Sequence, residues 1–182
     1  MEKFFMGEEF TPEEIILGVS QGVKDGSLCP VFCGDAHSTF GIEQFMNSLS
    51  WLAPTAAGNG AEVGVDVNGD PVDIAVNEAG AAAAIVFKTV AASFVGKMSY
   101  FKMLSGKIAP GMTLINSRTG TQEKIAHIYV MKGKKQIEVQ ELGAGDIGVV
   151  TKIGSLFTGD YLKAPGAKAT LDAIEYPKPC YS

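Results

Sequence analysis

Phe94-Val95-Gly96-Lys97-Met98-Ser99-Tyr100-Phe101-Lys102-Met103-Leu104-Ser105-Gly106 is the run whose reading decides the fold. Apolar and polar residues interleave along it, a glycine opens it and Ser105-Gly106 closes it, which reads as an antiparallel strand leading into a turn. The run sits inside a longer stretch, Lys88 to Lys135, with the same character. That stretch holds nine basic residues and one acid, Glu123, a net charge of +8 in a chain whose total is −5. A basic β-structure on an otherwise acidic protein is suited to a polyanion, and phosphate contacts supply most sequence-independent affinity for RNA. The alternative is that lysines on exposed strands only keep sheet edges from pairing with other molecules.

Working outward, residues 81–175 are strand-rich. The expected strands are Ala83–Val90, Gly96–Gly106, Thr113–Asn116, Glu123–Val130, Gln136–Val139, Ile147–Ile153 and Tyr161–Leu162. Turn signals separate them at Ala109-Pro110-Gly111, Arg118-Thr119-Gly120, Lys132-Gly133-Lys134, Gly143-Ala144-Gly145 and Thr158-Gly159-Asp160. Short strands at this spacing suggest a closed barrel, which also removes vulnerable edges. Residues 54–80 differ. They carry five glycines, five acids and no Lys or Arg. Val63–Val67 and Val72–Ile74 flank Asn68-Gly69, a strong hairpin signal, so this segment is expected to be an acidic, glycine-rich linker with a small exposed hairpin.

Residues 1–53 are helical in pattern. Thr11, Pro12 and Glu14 form a capping-box start, Ile15, Ile16, Val19 and Val23 recur at helical spacing, and Gly26 ends the helix. Leu28–Cys33 is an apolar run expected to be a buried strand. A second helix carries Ile42, Phe45, Met46, Leu49 and Leu52 on one face until Pro54. Helix, strand and helix with a single strand is a partial α/β piece. The last residues, 176–182, are too short for an element.

Composition bounds function. An apolar content of 46% is globular, and no run of eighteen apolar residues could cross a membrane. The N-terminus lacks a basic region followed by an apolar core, and three cysteines are an odd count, so a reducing, cytoplasmic setting is expected. No glycine-rich loop ends in Lys-Ser or Lys-Thr, so no phosphate cradle is present. Asp66–Asp70 misses the calcium-loop pattern, with Pro71 at the sixth position and Asn77 at the twelfth. Cys29, Cys33 and His37 are too few for a closed zinc site, and His127 is a strand histidine. No catalytic residue and no metal site are expected.

The run 94–102, Ser105-Gly106, Pro110-Gly111, Asn116–Gly120, Glu123-Lys124-Ile125, Ala144-Gly145-Asp146-Ile147 and Thr158–Leu162, in this order, resembles elongation factor G of the translational GTPases. The resemblance implies a mainly β protein. Residues 81–175 would be the second domain, a closed six-stranded antiparallel translation-factor β-barrel. Residues 1–53 would be the C-terminal remnant of the GTPase domain, and Tyr176–Pro179 the start of the next domain. It implies that the intact parent uses GTP and Mg in ribosomal translocation, and that the barrel docks on small-subunit rRNA. The contacts would be the loop Arg118-Thr119-Gly120 with Lys97, Lys102 and Lys124. Gly34-Asp35-Ala36 falls where the family has its last guanine-contacting motif, glycine-serine-alanine. Asp35 there, and Ala92-Ser93 in place of the usual Asp-Pro, lean toward a paralogue acting in ribosome recycling, ribosome protection or release-factor removal. A non-ribosomal β-barrel interaction module is the remaining alternative. The chain itself lacks the P-loop, switch and Asn-Lys-x-Asp motifs. It is expected to bind no GTP or Mg and to hydrolyse no GTP alone, with no DNA or membrane partner.

Overall fold

The structure is a computed structural model of the 182-residue chain. It describes residues 2–92, 96–171 and 180. Phe94, Val95, Ser93 and the 176–179 exit therefore lie outside the described residues. The chain divides into two compact units, Met1–Asn59 and Gly60–Ser182.

The first unit is helical: α1 (Glu2–Met6), α2 (Pro12–Lys24), α3 (Ile42–Leu52) and a 3-10 turn at Ala57–Asn59. The start of α2 is the capping box its sequence spells. The Thr11 hydroxyl accepts from the Glu14 N–H at 3.3 Å, and the Glu14 carboxylate accepts from the Thr11 N–H at 2.9 Å. Gly26 takes φ +76 just past the helix end. Leu28–Cys33, expected as a strand, has no ladder. A strand needs a neighbour to take its N–H and C=O groups, and the described residues of this unit supply none. The piece is helix–loop–helix, closed by a single bridge between Asp35 and Phe40.

The second unit begins with a hairpin, β1 (Glu62–Val65) and β2 (Pro71–Ile74), turning at Asn68-Gly69 as expected. The hairpin is largely exposed but is tied to the rest of its unit. Val65 and Thr170 exchange two backbone hydrogen bonds of 2.8 Å. Ile74 is buried with Ala83, Leu104 and Tyr161. Gly64 permits this approach, since a Cβ there would stand 2.7 Å from the Thr170 carbonyl oxygen.

The rest is β: β3 (Ala83–Ala92), β4 (Gly96–Ser105), β5 (Lys107–Ile108), β6 (Thr113–Asn116), β7 (Gln122–Lys124), β8 (Ile128–Lys132), β9 (Lys135–Val139), β10 (Leu142–Gly143), β11 (Ile147–Thr151) and β12 (Tyr161–Lys163). Eight of these form one antiparallel sheet in the order β7-β6-β12-β3-β4-β11-β8-β9, and β5 pairs with β10 separately. The sheet is curled. Leu114 of β6 and Ile128 of β8 lie near opposite ends of that order, yet both are fully buried in one core with Phe101, Met103 and Val150.

The described ladders form this curled eight-stranded sheet and do not establish a closed six-stranded barrel. Glu123–Val130, expected as one strand, is two. The chain leaves the ladder at Ile125, which enters the core while its backbone bonds to Met112 and Gly111 at 2.8 and 2.7 Å. β7 then pairs with β6 and β8 with β11 and β9. Among the described residues the end strands β7 and β9 share no ladder, and the chain itself crosses between the two ends. Among the described residues, no helix is long and apolar enough to cross a membrane.

Candidate nucleic-acid interface

The loop 117–120 is built on one buried carboxylate. Asp160 follows the Thr158-Gly159 turn, where Gly159 takes φ +93. Its side chain is 1% exposed. Oδ1 accepts from Arg118 Nε, and Oδ2 accepts from Arg118 Nη2 at 3.0 Å, Asn116 Nδ2 at 2.7 Å and the Phe157 N–H at 2.9 Å. Burial alone would raise this carboxyl's pKa. The hydrogen bonds from Arg118, Phe157 and Asn116 outweigh it and hold the group below its ordinary value. Arg118 also donates to the Ser155 carbonyl at 3.1 Å and lies 5.0 Å from the Phe157 ring centroid.

Arg118 is therefore a brace as well as a surface cation. Its guanidinium is half-exposed, and Nη1 makes no hydrogen bond among the described residues. Thr119 and Gly120 form the exposed tip, with Gly120 at φ +69. The Thr119 hydroxyl shares a hydrogen bond with Thr121, which donates to Glu123.

The lysines expected beside this loop separate. Lys97 joins it, with Nζ 3.8 Å above the Phe157 ring and donating to the Gly154 carbonyl at 2.9 Å. Lys97 and Arg118 thus flank one exposed aromatic ring, a contact that sequence spacing could not reveal. Lys102, five residues along β4, faces the other side of the sheet between Ile85 and Ile147. Lys124 ends β7 and lines a recess with Lys152. Lys107 is neutralised, at 3.1 and 2.8 Å from Glu78 and Glu141. Lys88, Lys102, Lys124, Lys132, Lys134 and Lys135 enter no ion pair among the described residues.

In the first unit, the Gly34-Asp35-Ala36 loop is turned in on itself. The Asp35 N–H donates to the Phe40 carbonyl at 3.0 Å. The Asp35 carboxylate accepts from the Ser38 hydroxyl at 2.6 Å and from the N–H groups of His37 and Ser38. These bonds, the Ser38 hydroxyl foremost, hold Asp35 below the usual carboxylate range. Cys29 and Cys33 are free and exposed, and no metal-binding cluster occurs among the described residues.

Residues missed by the sequence reading are Asp160 as an anchor, Phe157, and the recess pair Tyr129 and Lys152. The signal for Asp160 was an acid directly before the apolar Tyr161-Leu162, a place where a carboxylate must be paired.

Two comparisons bear on this architecture. A protein from Thermus thermophilus, known from a crystal structure, is similar over 98% of this chain at 26% sequence identity, with a TM-score of 0.74. The chain spans 24% of that protein's length. Residues 81–164, which include β3 to β12, the Asp160 node and the Arg118 loop, match the family model of elongation factor G domain 2. The resemblance drawn from the strand and turn motifs thus has independent support, in that residues 81–164 are similar to elongation factor G domain 2.

Proposed function

We propose that the chain is a segment of an elongation factor G-like translational GTPase of the cytoplasm. Its second domain docks on small-subunit rRNA while GTP hydrolysis elsewhere in the parent drives translocation of tRNA and mRNA. The domain match over residues 81–164 carries this reading. The unpaired lysines support it, since they leave a basic surface on a chain of net charge −5. Residues 1–53 correspond to the end of the GTPase domain, 81–175 to the barrel and 176–182 to the entry to the next domain. GTP and Mg belong to the parent. This segment lacks a phosphate cradle and turns over no GTP alone.

Docking runs through the Thr119-Gly120 tip, with Arg118 and Lys97 held behind it on Phe157, and with Lys102 and Lys124 contributing from neighbouring faces. The test is binding to purified small subunits across a salt series, beside Thr119→Glu. This variant changes the tip without touching Asp160, whereas reversing Arg118 would also remove the brace. Saturable binding that weakens with salt, and falls at least about fivefold in the variant, is expected for phosphate contacts. Absent or salt-independent binding overturns the docking reading and favours a non-ribosomal interaction module.

A second reading rests on Asp35. Its N–H and carboxylate are engaged within the loop where the family contacts guanine, which supports a paralogue in recycling, protection or release-factor removal.

A further inference from the structure

Where β7 leads into β8, a recess of about 440 Å³ opens toward the end of β11, lined by Lys124, His127, Tyr129, Gln136, Thr151 and Lys152 among others. Its chemistry is of two kinds. Two ammonium groups, Lys124 and Lys152, enter no ion pair among the described residues. Two rings, His127 and Tyr129, stack with an interplanar angle of 28° and centroids 6.3 Å apart. The neighbouring acid, Glu138, is engaged by His127 Nδ1 at 2.6 Å. Gln136 adds an amide that, among the described residues, makes one long bond, to the Met98 sulfur.

Lys152 has a further peculiarity. Its backbone takes φ +63, the left-handed region that costs a side chain with a Cβ, and non-glycine residues held there concentrate at functional positions. Its N–H donates to the Lys97 carbonyl at 3.0 Å, which ties the strained turn to the start of β4. Apolar packing does not require a lysine at such a position. With Lys124 it lines one recess, which suits an anion.

Resting on the reading of this barrel as RNA-facing, we propose that the recess binds one unpaired nucleotide of RNA. Its base lies against the His127–Tyr129 rings and its phosphate between the Lys124 and Lys152 ammonium groups. A single-stranded nucleotide fits because it offers an exposed ring face and a charge together, whereas paired bases hide their faces in the stack.

The probe is a fluorescein-labelled uridine hexamer, titrated against the full chain by anisotropy across a salt series. The comparison proteins are Lys124→Gln/Lys152→Asn and Tyr129→Leu. Asparagine tolerates the left-handed backbone, so the double variant should melt no lower than the parent. It is expected to bind about tenfold more weakly, with the log–log salt slope shallower by about 0.7, since each phosphate contact on a single strand contributes about 0.7 and the recess holds one phosphate. Tyr129→Leu is expected to lose roughly fivefold or more with the slope unchanged, because stacking carries no counterion release. Equal binding by all three proteins overturns the inference. So does a double variant that weakens while Tyr129→Leu does not, which marks a generic polyanion patch, or equal binding of a duplex. Small-subunit binding, run in parallel, judges the docking reading separately. Subunit binding with unaltered hexamer affinity in the variants defeats the recess alone. Loss of the hexamer in the variants without any subunit binding defeats docking alone.

Discussion

Replacing Asp160 by asparagine keeps the shape of the side chain and removes its charge. The four donors around it make the outcome calculable. Oδ2 meets three of them, Arg118 Nη2, Asn116 Nδ2 and the Phe157 N–H, and Oδ1 meets Arg118 Nε. The amide NH2 of asparagine can occupy only one of those places. At Oδ2 it would face three donors, so it settles at Oδ1, where it faces Arg118 Nε. One charge-assisted bond becomes a donor–donor contact, those from Asn116 and Phe157 become neutral, and that from Arg118 Nη2 loses its ionic partner. A charged hydrogen bond contributes about 1.5–3 kcal/mol and is about twice a neutral one, so the substitution should cost about 3 kcal/mol. For a slope near 2 kcal/mol per molar urea, the midpoint falls by roughly 1.5 M. Far-UV circular dichroism of the β signal is the suitable probe, because the single tryptophan, Trp51, reports on the other unit.

The pH dependence makes the test sharper. Asp160 is held below its unfolded value in the native state, so its contribution is complete above the ordinary carboxylate range. It is lost as pH falls through the native value. Asp25, Asp35 and Asp66, also held low by their local hydrogen bonds, are common to both proteins and cancel in the difference. The gap between parent and Asp160→Asn should therefore be full at neutral pH and narrow below about pH 4, the unfolded carboxylate range. A gap under about 0.5 kcal/mol at neutral pH, the size of an ordinary surface change, refutes the anchoring role. A gap that does not narrow on acidification refutes its ionic basis.

Gly106 sits at φ +65, and a Cβ there would stand 2.6 Å from Ala82 N and Gly80 O; Gly106→Ala should cost at least about 2 kcal/mol by strain and clash, and a loss under about 1 kcal/mol would show that this turn relaxes freely. Amides of α2, which buries no residue, and α3, which buries only Leu52, should exchange roughly a hundredfold faster than those of β3 and β4, and equal protection in native-state hydrogen exchange would contradict this.

Much of the architecture was legible from local chemistry. The capping box at Thr11–Glu14, the Asn68-Gly69 hairpin and the turns at Gly133 and Gly159 are each written in a few adjacent residues. Such features depend on short-range sterics and hydrogen bonds, so they survive being read in isolation. The misreadings fall where a partner decides. Leu28–Cys33 has strand composition but no neighbouring strand among the described residues of its unit. Residues 123–130 alternate well enough for one strand, yet Ile125 turns into the core and divides them.

The candidate interface divides the same way. The sequence by itself determined that positive charge concentrates between Lys88 and Lys135, that the segment folds as antiparallel β, and that its motifs resemble those of elongation factor G domain 2. Charge and periodicity are sums over residues and need no coordinates. Only the tertiary structure decided which of those charges act together. It set Arg118 on Asp160 and joined Lys97 to it over Phe157. It turned Lys102 to the opposite face and placed Lys124 beside Lys152 in a recess. Those partners lie tens of residues apart, and their meeting depends on strand register, which long-range pairing sets and no local pattern encodes.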